Sequence, residues 1–164
     1  MTTFTAFAID PGKTNGWAYY RAEKIDPKKF EEDSPLEWYN PSWKVGQVTD
    51  VQDLELLVET NHTAETHLIV ERYLDRPAKL GHKDNDALKV IGAIESLAKH
   101  REIPVTLQTS AQAKGFVKDA NIRKLGLWTP GNRHAMDAMR HLLFWLIHGP
   151  YRRVEFLDGW RFSD

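Results

Sequence analysis

The sequence predicts an α/β fold, a mixed five-stranded sheet with helices on both faces. Three observations carry this. Runs rich in β-branched and aromatic residues recur at 4–10, 17–20, 43–48, 67–73 and 104–109. Apolar residues at helical spacing fill the stretches between the later runs. The first three strands follow one another as an antiparallel meander, whereas the later ones alternate with helices and read as a parallel half.

Taken in order, Phe4 to Asp10 forms the first strand, and Pro11-Gly12 then forces a turn. Trp17 to Tyr20 is the second strand and Trp43 to Val48 the third. Between them, residues 21–42 form a polar, Pro-containing insertion, read as an extended hairpin that is either a decoration or a contact arm. Residues 51–60 are helical, with Val51, Leu54, Leu57 and Val58 on one face. His67 to Tyr73 is the fourth strand, apolar through its middle and so buried. A charged loop, 75–84, follows. The next helix runs from about Asn85 to His100, with Leu88, Ile91, Ile94 and Leu97 in register and Asp84 or Asn85 as its cap. Pro104 to Thr109 is the fifth strand. Ser110 caps a short helix carrying Lys114, Lys118, Arg123 and Lys124. Thr129-Pro-Gly-Asn132 opens the last long helix, which ends near His148. A tail from about 150 to 164 covers the body. All of this is expected to be one domain spanning 1–164.

The chain has 164 residues, 41% of them hydrophobic and 27% charged, the balance of an ordinary globular protein. It contains no cysteine. Disulfides, thiolate metal sites and thiol catalysis are thereby excluded. No apolar run reaches the roughly 18 residues that span a bilayer, and Met1-Thr-Thr-Phe leads directly into a strand. A cytoplasmic protein without a membrane partner is expected, in a bacterium or in the host of a virus. The formal net charge is −1, but it is unevenly spread. Residues 1–75 hold seven Lys/Arg against fourteen Asp/Glu, and residues 76–164 hold fifteen against nine. A basic second half can present one face to phosphate.

Two acids close buried strands. Asp10 ends the run Phe-Thr-Ala-Phe-Ala-Ile, and Glu71 ends Leu68-Ile-Val. A third, Asp137, lies in the first turns of the last helix, where the helix dipole favours an anion. Carboxylates are costly to desolvate, and a divalent cation is the simplest partner for three of them. His134 shares a helix face with Asp137, and His141 lies on nearly the same stripe as a rival ligand. Such a set suits Mg²⁺ or Mn²⁺, two ions about 4 Å apart, and a phosphodiester displacement that needs no protein nucleophile.

The local contexts carry a resemblance. Ala8-Ile-Asp10-Pro-Gly12-Lys-Thr-Asn-Gly16-Trp-Ala is similar to the first strand and turn of RuvC-type Holliday junction resolvases. Leu68-Ile-Val-Glu71 resembles their second acidic strand, and Asp86 to Ala93 the helix after it. Gln112-Ala-Lys114-Gly-Phe-Val117 resembles their lysine-bearing segment, and His134-Ala-Met-Asp137-Ala138 their closing metal-binding helix. The order matches over roughly residues 4–148.

The resemblance implies an RNase H-like fold and a metal-dependent endonuclease, a homodimer that resolves four-way junctions by paired nicks leaving 5′-phosphate and 3′-hydroxyl ends. It implies Asp10, Glu71, His134 and Asp137 as metal ligands and catalytic residues, with Lys114 at the scissile phosphate. Arg76, Lys79, Lys83, Lys114 and Lys118 are the expected DNA contacts, with branched DNA as substrate and no small-molecule substrate. The short turn after Asp10 and the 21–42 insertion imply a divergent, phage-type member open to flaps and forks. The alternatives are an RNase H-type hydrolase of RNA–DNA hybrids and a non-catalytic junction-binding module.

Overall fold

The computed structural model describes residues 2–24, 38–72, 85–153 and 156–157. Strands β1 (Thr2–Asp10), β2 (Asn15–Lys24) and β3 (Trp38–Val48) come first, followed by helix α1 (Val51–Asn61) and strand β4 (Glu65–Glu71). Helix α2 (Asn85–His100), strand β5 (Val105–Gln108) and helices α3 (Ser110–Phe116), α4 (Asp119–Lys124) and α5 (Arg133–His148) complete the chain. The sheet order is β3-β2-β1-β4-β5. β1 pairs antiparallel with β2, and β2 with β3; β4 runs parallel to β1, and β5 parallel to β4. The fold is thus the mixed α/β sheet expected, with helices on both faces.

Strand alternation builds two different cores. Side chains on a strand point to opposite faces in turn. On β1, Phe4, Ala6 and Ala8 enter the core shared with α5, while Phe7 and Ile9 enter the one under α1 and α2. β2 repeats the rule with Ala18, Tyr20 and Ala22 on the α5 side and Tyr19 on the other. α5 buries eleven of its residues, among them Met139, Leu142, Leu143 and Leu146. Each fully buried aliphatic contributes roughly 1.5–3 kcal/mol, so this packing fixes the helix far more firmly than its intrinsic propensity could. Small residues on the facing strands let it come close. Beyond α5, Tyr151 and Phe156 pack on the same core, and Arg153 donates to the Tyr20 hydroxyl at 2.5 Å.

Three element boundaries differ from the sequence reading. β2 and β3 extend to 24 and back to 38, into the insertion, because their arms pair with each other from Asn15↔Val48 to Lys24↔Trp38. The short basic helix is two helices. Val117 and Lys118 are extended, and the Asn121 side chain accepts the Lys118 N–H at 2.8 Å, restarting the chain as α4. β4 ends at Glu71, two residues before Tyr73. Among the described residues no helix is long and apolar enough to cross a membrane.

Candidate active site

Asp10 has even parity on β1 with Phe4, Ala6 and Ala8, so its carboxylate emerges on the α5 face. Glu71 shares parity with Ile69 and emerges on the same face. The parallel register pairs Ile9 with Val70 and Glu71 with Gln108, which sets Asp10, Glu71 and Gln108 side by side at the C-terminal ends of three adjacent strands. α5 crosses this end and delivers His134, Asp137, Arg140 and His141 to it.

Gly16 makes that crossing possible. It lies opposite Asp10 in the β1–β2 register. A Cβ built there would sit 2.0 Å from the His134 carbonyl oxygen, far inside van der Waals contact. The backbone of α5 therefore rests directly on β2. Its Asn132 cap makes no side-chain hydrogen bond. Instead the His134 N–H donates to Gln47 Oε1, 3.0 Å away on β3, so a distant strand satisfies one of the helix's terminal donors.

The charged groups then interlock. Lys114 Nζ on α3 lies 3.0 Å from Asp137 Oδ2 and 3.9 Å from Glu71 Oε2. His134 Nδ1 is 2.9 Å from Asp10 Oδ2. His141, fully buried, places Nε2 2.9 Å from Glu71 Oε2 and Nδ1 2.9 Å from Gln108 Oε1. Arg140 Nη1 donates to Asp137 Oδ1 at 2.5 Å, and its Nη2 donates to Asp119 on α4. Asp10 and Asp137 are each 8% exposed. Burial raises the Asp10 carboxyl to about 6; the His134 hydrogen bond pulls it down, while the charges of Glu71 and Asp137 and a hydrogen bond to Glu71 push it up. For Glu71 burial acts upward too, but His141, Lys114 and the Asp10 hydrogen bond outweigh it and hold it below its usual range.

All five residues expected at the catalytic centre, Asp10, Glu71, Lys114, His134 and Asp137, come together here. Lys118 is close by on the surface, its Nζ donating to the Lys114 carbonyl at 3.0 Å. Arg76, Lys79 and Lys83, with the rest of the 75–84 loop, lie outside the described residues. The two histidines divide. His141 spends both ring nitrogens on Gln108 and Glu71, whereas His134 stands at the rim with its side chain 44% exposed. Sequence reasoning did not single out Arg140, Gln108, Gln47 or Gly16. Arg140 and His141 sit three and four positions after Asp137, the spacing that shares its helix face, and that was the available signal.

Among the described residues, no three His, Asp or Glu side chains are arranged round one point as a ready-made metal site. The donor set nevertheless fits a hard divalent cation. Three carboxyl groups gather in a largely buried place, burial raises one of them, Asp10, to about 6, and the ammonium of Lys114 is drawn in between the other two.

No protein-family model matches the chain, and no curated protein matches it. Its backbone is similar to several solved structures, two of them RuvC structures. One is Thermus thermophilus RuvC, with a TM-score of 0.52 and 14% identity, covering 87% of this chain and 95% of that one. The other is T. thermophilus RuvC in complex with a Holliday junction substrate, with a TM-score of 0.50 and 15% identity, covering 89% and 96%. The chain has the RuvC-like, RNase H-like fold.

Proposed function

We propose that this chain is a divalent-metal-dependent endonuclease that resolves Holliday junctions, and other branched DNA, by paired hydrolytic nicks leaving 5′-phosphate and 3′-hydroxyl ends. One observation carries the reading: carboxylates from three distant stretches meet at one sheet end, with the Lys114 ammonium lodged against two of them. Likeness to a RuvC solved with a Holliday junction substrate supports it at the level of the fold.

Asp10, Glu71 and Asp137, with His134 beside Asp10, are the residues that would hold Mg²⁺ or Mn²⁺, two ions per site, which when bound supply charge to activate a water and to offset the phosphate's negative charge. A softer imidazole donor makes Mn²⁺ at least as effective as Mg²⁺ in this reading. His134 is the better of the two histidines for that role, because His141 has no nitrogen left to give. His141 instead orients Glu71, and Arg140 orients Asp137, so that neither carboxylate must be ordered during the reaction. Lys114 turns from the carboxylates to the scissile phosphate and stabilises charge as it develops. Lys118 is a further phosphate contact, and Arg76, Lys79 and Lys83 remain candidates on sequence grounds. A homodimer belongs to the same proposal; among the described residues the exposed large aliphatics are Leu56 on α1, Leu88 on α2 and Leu107 on β5.

The test is a nicking assay on a synthetic mobile four-way junction with Mg²⁺ or Mn²⁺. Wild type is expected to release paired nicked duplexes, and Asp10→Asn to bind the junction without cutting. Binding without cutting by wild type in both metals would establish a non-catalytic junction-binding module instead. Preferential cutting of the RNA strand of a hybrid would establish an RNase H-type enzyme.

A further inference from the structure

A groove of about 700 Å³ opens beside Asp137, between α3 and α4 on one side and the turn before α5 on the other. Lys114 and Asp137 lie at its catalytic end, and Lys118, Trp128 and Arg133 line its length. Its charge is arranged for an anion. Both of its acids, Asp119 and Asp137, are tied to Arg140, while Lys118 and Arg133 are exposed. Its aromatic wall is held in place. The Arg123 guanidinium lies 3.9 Å from the centroid of the half-buried Trp128 ring, and the ring packs against the α5 core. The turn that carries the wall is fixed by Gly131 in the left-handed region, at φ +79°, and by the Thr129 N–H, which donates to Met136 Sδ at 3.4 Å.

We propose that this groove is a single-stranded DNA subsite that grips the nucleotides on one side of the cut bond. Lys118 and Arg133 hold the backbone phosphates, and the indole of Trp128 is the surface on which a base packs. Cations that track a backbone beside an aromatic that takes a base face are the two elements by which proteins hold single strands without reading sequence. A strand unpaired at a branch point can enter such a groove, whereas the outer face of an intact duplex offers no base face to Trp128. The subsite rests on the nuclease reading for the identity of its strand, since that reading places the scissile phosphate beside Lys114 at the groove's end.

The test uses the full chain without divalent metal and fluorescein-labelled dT12, read by anisotropy, against an abasic oligomer of equal length and charge. Wild type is expected to prefer dT12 by about five- to tenfold. Trp128→Leu should reduce that preference below about twofold, and Trp128→Phe should keep most of it. Arg133→Ala should weaken both oligomers alike and make the log–log salt dependence shallower by about one. Equal affinity of wild type for the two oligomers overturns the stacking wall whatever the variants do, so a Trp128→Leu protein that failed to fold would not shelter it. An unchanged salt slope in Arg133→Ala overturns the phosphate assignment. If wild type nicks junctions but shows no base preference, the groove fails and the nuclease stands. If base-dependent binding is present and no DNA is cut, the reverse holds.

Discussion

On one side of the sheet, β1 presents Phe7 and Ile9 to α1 and α2; on the other, it presents Phe4, Ala6, Ala8 and finally Asp10 to α5. The first face is filled by large side chains, with Leu54, Val58, Leu68, Val70 and Ile94 completing it. The second carries the large Phe4 and Tyr20 at one end but only Ala8, Ala18 and Gly16 towards Asp10, so that there α5 approaches until its backbone touches Gly16. Volume packed into the first face stabilises the fold. Close approach on the second brings four polar residues of a helix onto the ends of three strands. That proximity is electrostatically expensive, as the raised Asp10 carboxyl records. Lys114, Arg140 and His141 offset part of it.

If the two faces divide the work in this way, removing a charge from the α5 side should abolish activity while stabilising the chain. Asp10→Asn is expected to lower the nicking rate by at least about a thousandfold, the range seen when a member of a catalytic unit is lost. Its effect on stability has the opposite sign. The folded-state value near 6 exceeds the ordinary 3.8, so the native state gains from protonation and that gain is lost as pH rises through 6. At pH 7.5 without metal, Asp10→Asn should therefore be more stable by about 1–2 kcal/mol, read as a higher melting temperature. A variant that melts lower and still cuts would refute both halves.

Gly16→Ala and Leu54→Ala sharpen the contrast by disturbing opposite faces. The alanine methyl at position 16 would meet the α5 backbone, which cannot yield without moving His134 and Asp137. A loss of roughly 2–4 kcal/mol is expected, with loss of nicking even in the fraction that remains folded. Leu54 on α1 is fully buried against the other face. Its truncation should remove a comparable 2–5 kcal/mol, but the folded fraction should nick at nearly the wild-type rate. Chemical denaturation combined with activity per folded molecule separates the two cases.

The same contrast explains what could be read from the amino acids. Asp10 and Glu71 were legible because alternation along a buried strand is local: the apolar run, its parity and its terminal acid all sit within seven residues. Asp137 was legible because its helix is strongly patterned. Which histidine meets which carboxylate was not. His134, Asp137 and His141 fall on one stripe, and only the angle at which α5 crosses the sheet assigns His134 to Asp10 and His141 to Glu71. That angle depends on Gly16, a residue far away in sequence. The reach of β2 and β3 into the insertion was illegible for the same reason, since it depends on pairing between strands and not on either strand alone. The break between α3 and α4 depends on one Asn121 side chain capturing the Lys118 N–H. Sequence periodicity does not register such an event.

His141→Gln should show a smaller effect than the changes above. The buried imidazole bridges Gln108 and Glu71, touching neither solvent nor the exposed rim. If it orients Glu71, its replacement should lower kcat by about 10- to 100-fold and raise the metal concentration needed for half-maximal activity. KM for the junction should stay nearly constant, because no DNA contact is removed. A change confined to melting temperature would reduce His141 to a packing residue.

The smallest expected effect comes from another histidine on the α5 face, away from the carboxylates. His67 packs, tilted, against Trp145 at 4.4 Å between ring centroids, and its Nε2 lies 2.8 Å from Thr106 Oγ1. Burial lowers it from 6.5 to about 4. The unfolded chain therefore takes up a proton near pH 6.5 that the native state refuses until about pH 4. His67 leaves stability untouched above pH 6.5, and stability falls as pH drops from there toward 4. Because solvent reaches part of the ring, the expected loss is only about 1–2 kcal/mol. His67→Gln keeps a polar partner for Thr106 and cannot titrate, so it should flatten that segment of the stability–pH curve. Since Asp10 acts oppositely over nearly the same range, the two contributions partly cancel in wild type. The Asp10→Asn background is where the His67 slope should stand out, and a slope equally steep in Asp10→Asn with and without His67→Gln would remove His67 from the account.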